Sequence, residues 1–284
     1  MLIKLDQVHC QILKRSNKTS FYGSYLFPSQ VRRDVLILYG FVRTADDFVD
    51  SIPQQRDKFY YFRDEYQEAL HGGCTDNVII KYFIDLLHRK DFDVQWVDAF
   101  LYSMELDLTK RVYKTLEETL QYIYGCAEVI GLFLAKIMGI SPDSYHSARM
   151  LGRAIEYVHL MRDIAYDWQL GRVYLPLEES ELDNLSYEYV SAKSELFIKF
   201  IQVQIERYKV WQAEAEKGFV FIPSRYLIPI KTGSDIYKWT ARKIEKNPFI
   251  VYQEKVKPSR AWIFSQVLLN TLTIGVVESH QFHQ

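Results

Sequence analysis

The chain has 284 residues, 35 basic against 36 acidic side chains, a net charge of −1 and 48% hydrophobic content. That is ample apolar material for one large core or two small ones. The near-neutral balance, with no basic stripe, argues against a nucleic-acid partner. Three cysteines, Cys10, Cys74 and Cys126, are an odd set without CxxC spacing, which points away from a disulfide framework or zinc site and toward a reducing, cytoplasmic compartment. The N-terminal stretch lacks the apolar core of a signal peptide. With 21 Tyr and 17 Phe, the aromatic content fits either a Tyr-rich helical core or an aromatic-lined apolar cavity.

In chain order, helical periodicity dominates and strand signals are scarce. Ser29-Gln30, after Pro28, predicts an N-cap for an apolar run from Val31 to Val49 that ends before Pro53. Further helices are expected at about 54–70, 76–88, 93–107, 116–138, 143–170, 187–216, 233–246 and 258–277. Breaks fall at His71-Gly72-Gly73, at Gly139 to Pro142, at Gly171 to Leu177 and at Gly218 to Pro229. The apolar stretches Val129–Ile140 and Ala261–Val277 carry polar interruptions (Lys136; Gln266 and Asn270), and neither makes a convincing membrane span. The second reads as a core helix, with an amphipathic helix on a membrane surface as the alternative. No repeat, linker or composition shift is visible. The expectation is a single all-α domain over 1–284, its helices around a central apolar cavity.

Two acidic patterns carry the chemistry. Tyr39, Arg43, Asp46 and Asp50 follow steps of four, three and four, forming one stripe with Asp47 alongside. Like charges one turn apart destabilise a helix unless something positive sits between them. Burying them uncompensated would cost several kcal/mol or force protonation. Arg43 or a bound cation supplies the compensation, and Mg²⁺ takes carboxylate oxygens together with water and phosphate. The second pattern is Glu156, His159, Asp163 and Asp167, again on one face, flanked by Arg153 and Arg162. Gly171 can end that helix, leaving Arg172 near the acids where phosphate oxygens would be met. Either pattern alone reads as a solvated face. Both together predict facing helices that grip divalent cations and, through them, a polyphosphate. Glu156-x-x-His159 is also the element of di-iron carboxylate bundles, but those use it twice and no second copy exists here.

These residues resemble the squalene/phytoene synthase family, the head-to-head trans-isoprenyl diphosphate synthases, over nearly the whole chain from Ser20-Phe21-Tyr22 to Asn247-Pro248-Phe249. Leu38 to Asp50 is similar to the family's first aspartate-rich motif. Leu151 to Ala154, Met161-Arg162-Asp163 and Asp167 through Pro176 are similar to its second. Met104, Asp107-Leu108, Arg111, Tyr113, Thr115 and Tyr122 to Gly125 resemble the block between them.

The resemblance implies a prenyltransferase of all-α isoprenoid synthase fold, joining two identical allylic diphosphates through a cyclopropylcarbinyl diphosphate. By position, Asp46, Asp50, Asp163 and Asp167 would bind Mg²⁺–diphosphate. Tyr39, Arg43 and Arg172 would contact diphosphate oxygens, and Ser20 and Phe21 would sit at the upper rim. Tyr237 and Lys255 would be C-terminal diphosphate contacts. The chain departs from the family pattern where Glu156 and His159 replace the usual Gln and Asn, Val42 replaces Cys, and Glu128 replaces Gly. A histidine near a hard-metal site opens Mn²⁺ beside Mg²⁺. Glu128 reads either as a partner of a cavity arginine or as solvent-facing. No anchor of the kind carried by eukaryotic squalene synthases is evident, so the expected reaction needs no NADPH and makes phytoene from two geranylgeranyl diphosphates. The alternatives are a farnesyl diphosphate enzyme (squalene, dehydrosqualene or presqualene diphosphate) and a non-catalytic assembly factor. Product insolubility raises peripheral membrane contact; oligomeric state is not legible.

Overall fold

The computed structural model describes residues 8–12 and 24–281, with side chains described through 274. Among them the backbone is helical, with one isolated parallel bridge, Val112 to Val173, and no strand. Helix α1 (Ser29–Asp50) buries Val31, Val35, Leu38, Phe41, Ala45 and Val49, an apolar face that repeats every three to four residues. Pro28 holds the cap position and Ser29 is already helical, so the expected side-chain cap is absent.

Helices α2 (Arg56–Leu70), α3 (Val78–Lys90) and α4 (Val94–Thr109) close over that face. Asn77 caps α3 through Ile79 N at 3.1 Å, and Asp93 caps α4 through Gln95 N at 2.9 Å. The Phe41 ring stacks on Phe83 at 3.8 Å between centroids and meets Phe62 at 5.2 Å and Tyr66 at 5.3 Å. The acid stripe of α1 is thereby turned away from this aromatic core.

The stretch expected as one helix over 116–138 is three pieces: α5 (Leu116–Ile123), a π turn (Tyr124–Glu128) and α6 (Val129–Met138). A capping box of Thr115 and Glu118 starts it. By length and composition Leu116–Met138 could cross a membrane, but half of it is buried against the protein, as in a core helix. The chain then returns as α7 (Tyr145–Arg162). At Gly152 a Cβ would lie 2.3 Å from the Ala127 carbonyl oxygen, so only glycine lets α7 approach the π turn this closely.

After α7 come α8 (Ile164–Gln169), α9 (Tyr187–Ala192), α10 (Ser194–Lys217), α11 (Ser224–Lys246), α12 (Ile250–Gln253) and α13 (Arg260–Gln281). Helix α11 begins nine residues earlier than expected. Pro229 falls in its second turn, where the lost N–H removes one backbone bond without ending the helix. A second apolar cluster, with Tyr157, Phe197, Ile201 and Ile205 at its centre, joins α7 to α10, and the α5–α6 stretch contributes to both clusters. The acids lie where the two clusters meet.

Candidate active site

On α1, Arg43 pairs with Asp46 and, at 2.7 Å, with the exposed Asp47. Burial first, then repulsion from Asp50, lifts the Asp46 carboxyl to about 8; Arg43 opposes this, and Asp107 and Asp47 add to it.

The second arm is not the single rod that the spacing predicts. Helix α7 ends at Arg162 and α8 starts at Ile164, with Asp163 between them at φ −98°, ψ 12°. The ladder nevertheless runs through the break: Asp163 N donates to His159 O and Asp167 N to Asp163 O, both at 2.9 Å. Arg162 holds the Asp163 carboxylate, with Nε at 2.9 Å from Oδ1. Burial and the neighbouring Asp163 lift Asp167 to about 8 against the pull of Arg172, with Glu156 and Asp107 adding to the rise.

Gly171, at φ +69°, ends α8 as expected, and Arg172 N donates back to Asp167 O at 2.8 Å. This reversal sends the buried Arg172 side chain across to the first arm. Its Nη1 lies 3.3 Å from Asp50 Oδ1, and its Nη2 donates to Val49 O at 3.0 Å and to Asp107 O at 3.4 Å. One guanidinium straps α1, α4 and the turn after α8 together.

Asp107 is the acid that sequence reasoning did not assign. It is 2% exposed and accepts from Tyr122 Oη at 3.0 Å and Tyr174 Oη at 2.5 Å. Burial lifts it to about 6, with Asp50 adding to the rise, while Tyr174, Arg172 and Tyr122 hold it down. Arg172, bonded to Asp50 and to Asp107 O and following directly on the Asp167 turn, ties this acid to both arms. Arg111 is also new to the site. Its Nη2 donates to Gln54 Oε1 at 3.0 Å, and together with Arg172 it lines a pocket of about 120 Å³ beside Asp50.

The two departures on α7 form a chain. His159 places Nδ1 3.1 Å from Glu156 Oε2 and Nε2 2.7 Å from the Tyr237 hydroxyl on α11. Burial pushes the Tyr237 hydroxyl up; Arg162 opposes this, and Tyr39, Glu156 and Asp163 add to the rise. Both imidazole nitrogens are engaged. Among the described residues no group of three or more His, Cys, Asp or Glu side chains forms a metal cage.

Below the acids, Cys126, Ile130, Leu134 and Met138 form a partly exposed stripe at steps of four, while Val129, Leu132, Phe133 and Ile137 are buried. This partly exposed apolar stripe lies on a stretch packed against α1, α4 and α7. Burial pushes the Cys126 thiol well up, and the charges of Glu156, Asp107 and Asp46 add to it.

The remaining candidates fall elsewhere. Glu128 is fully buried and pairs with Arg149 Nε at 2.9 Å and Arg153 Nε at 2.6 Å, which settles the choice between arginine and solvent. Lys255 is exposed in the loop after α12 and makes no hydrogen bond or ion pair with a described residue. Ser20 and Phe21 lie outside the described residues.

Among the described residues seven acids, Asp46, Asp47, Asp50, Asp107, Glu156, Asp163 and Asp167, stand against four guanidiniums, Arg43, Arg111, Arg162 and Arg172, and two of the acids are lifted to about 8. That surplus of negative charge fits divalent cations. Mg²⁺ commonly takes one or two carboxylates and completes its shell with water and substrate phosphates, and these carboxylates are donors of that kind.

Carrot (Daucus carota) phytoene synthase is 27% identical over 259 residues, covering 86% of this chain and 64% of the relative. The chain thus spans just under two thirds of that relative's length. A 15-cis-phytoene synthase from Synechococcus elongatus is 26% identical, covering 86% of this chain and 85% of the relative. The crystal structure of a squalene synthase from Alicyclobacillus acidocaldarius shares the fold at a TM-score of 0.77 with 18% identity, over 87% of this chain and 96% of that one. The squalene/phytoene synthase family model matches residues 13–262, and with the all-α fold and the ordered motifs that makes the chain a member of the squalene/phytoene synthase family.

Proposed function

We propose that this chain is a Mg²⁺-dependent prenyltransferase that joins two geranylgeranyl diphosphates head to head, giving phytoene by way of prephytoene diphosphate and releasing diphosphate. The observation that carries the reading is Arg172, whose backbone N bonds Asp167 O on one acid arm while its guanidinium reaches Asp50 on the other and Asp107 O between them. Asp46, Asp50, Asp163 and Asp167 hold the cations, through all-oxygen donors that Mn²⁺ would also accept. Bound cations neutralise the diphosphate and make it a better leaving group. Arg43, Arg172 and Arg111 meet phosphate oxygens, with Tyr39 and Tyr237 beside them.

The stripe from Cys126 to Met138 receives the hydrocarbon and excludes water that would quench an allylic cation. Aromatic faces around it, such as Tyr39, stabilise positive charge as it develops. Loss of a proton leaves a central double bond, so the reaction as proposed uses no reductant. The free cysteines fit a reducing, cytoplasmic location.

The test is incubation with geranylgeranyl and farnesyl diphosphates separately, with Mg²⁺, with and without NADPH, followed by mass analysis of the hydrocarbon. The expected product is phytoene from geranylgeranyl diphosphate in both NADPH conditions. A hydrocarbon formed only from farnesyl diphosphate would replace the substrate assignment. Absence of diphosphate release from either would overturn the reading in favour of a non-catalytic assembly factor.

A further inference from the structure

We infer that the outward face of α13 is a docking surface for an anionic lipid bilayer. Between Ala261 and Ile274 this helix carries no charged residue. Its polarity is inverted relative to a helix that faces water. The two amide side chains turn inward: Asn270, 1% exposed, donates to Thr232 Oγ1 at 3.1 Å and Asp235 Oδ2 at 3.0 Å, and Gln266 donates to Asp235 Oδ2 at 3.0 Å, while the exposed hydroxyls of Ser265, Thr271 and Thr273 bond back to carbonyls of their own helix. Lys231 Nζ reaches Asn270 Oδ1 at 2.9 Å. The apolar side chains turn outward: Phe264, Leu268 and Leu272, at four-residue steps, are 74%, 54% and 58% exposed, with Leu269 beside them. Ordered polar contacts therefore fix the helix with its oily side toward solvent. Such a patch marks an interaction site.

The charge around the patch selects the partner. The segment from Arg242 to Arg260 exposes six basic side chains, Arg242, Lys243, Lys246, Lys255, Lys257 and Arg260, against two acids, Glu245 and Glu254. This lies within a chain of net charge −1. Lys243 Nζ sits 5.2 Å from the Trp239 ring centroid, and Trp239 lies 6.1 Å from Trp262 at the start of α13. Basic groups and two tryptophans thus flank one end of the apolar stripe, the arrangement of a helix lying in a headgroup region. A second copy of the chain would bring this basic cluster against itself in a two-fold contact, which disfavours self-association. The inference draws added sense from the proposed function, because a hydrocarbon product needs a bilayer to enter, but its geometry stands apart from that reading.

The test is co-sedimentation of the purified protein with vesicles of phosphatidylcholine alone and of phosphatidylcholine with phosphatidylglycerol. Variants Phe264→Ser, Leu268→Asp and Lys246→Glu/Lys257→Glu are run in parallel, with circular dichroism as the folding control. The wild type should partition onto the anionic vesicles, weakly onto neutral ones, and less as salt rises. Leu268→Asp should lower partitioning at least tenfold, Phe264→Ser by less. The paired lysine reversal should lower it about fivefold or more for each charge. Diphosphate release from detergent-dispersed substrate should stay unchanged in all three variants. Equal partitioning of wild type and a folded Leu268→Asp overturns the inference, as does equal binding to both vesicle types. A vesicle-free dimer abolished by Leu268→Asp would assign the face to a second copy instead. Vesicle binding by a wild type that releases no diphosphate would sink the proposed function and leave this surface standing.

Discussion

Helix α1 carries its acids on an uninterrupted rod, whereas the second arm breaks at Asp163 and turns back at Gly171. The first arm is held from behind, by Phe41 stacked on Phe83 and by the fully buried Ala45 and Val49. Its compensating arginine lies on the same helix, one turn away from Asp46. The second arm ends in a six-residue helix; Arg162 pairs with its Asp163, and Arg172 lies beyond the turn, bonded to α1 and α4. Core packing backs the first pair of carboxylates; in the second, Arg162 holds Asp163 and the Arg172 strap ties the turn after Asp167 to Asp50, Val49 O and Asp107 O. The same four-residue spacing can therefore rest on supports of different kinds.

The sharpest way to break the comparison is to neutralise one acid in each arm. Asp46→Asn and Asp163→Asn should each lower turnover by about 10³-fold or more with the circular dichroism spectrum unchanged. Near-normal rates in both would remove the cation-holding role. Arg172→Ala should lower kcat/KM by about 10²-fold and raise proteolytic nicking near α8, because the strap and a phosphate contact go together. Intact protection of that segment would show that the second arm does not depend on the strap. Gly171→Ala places a Cβ at positive φ and should cost about 1 kcal/mol in chemical unfolding.

The smallest effect is on pH dependence, and it spans both arms. Asp46 and Asp167 are lifted to about 8, from ordinary values near 3.8. The native state keeps protons that the unfolded chain sheds, so the stability of the metal-free protein should fall as pH rises from about 4 to about 8. Cations bind the ionised carboxylates. Stabilisation by Mg²⁺ with a diphosphate should therefore grow between pH 6 and 8.5, with proton release in calorimetry. A Mg²⁺ effect that is flat with pH would contradict the assignment.

The acid stripes, the closing Gly171 and the placement of Arg172 were legible because each follows from helical spacing or from a glycine's freedom at positive φ. Asp107 was not, because its burial is created by Tyr122 and Tyr174, side chains 15 and 67 residues away. No local pattern announces a carboxylate held by two distant phenols. The break at Asp163 left no trace either, since the backbone bonds on both sides continue through it. Pro229 misled in the opposite direction: a proline in a second turn is tolerated, yet it reads as a stop. The π turn at Tyr124–Glu128 is hidden for a related reason, as its residues are ordinary helix formers apart from Gly125.

The central claim is that the two arms hold cations and diphosphate as one unit. The direct measurement is the rise in thermal stability on adding Mg²⁺ and a non-hydrolysable thiodiphosphate analogue, taken for wild type, Asp46→Asn, Asp163→Asn and the double variant. Cooperation between the arms predicts a clear rise for wild type, near loss in either single variant and no further loss in the double. A full rise in either single variant, or losses that simply add, would contradict it.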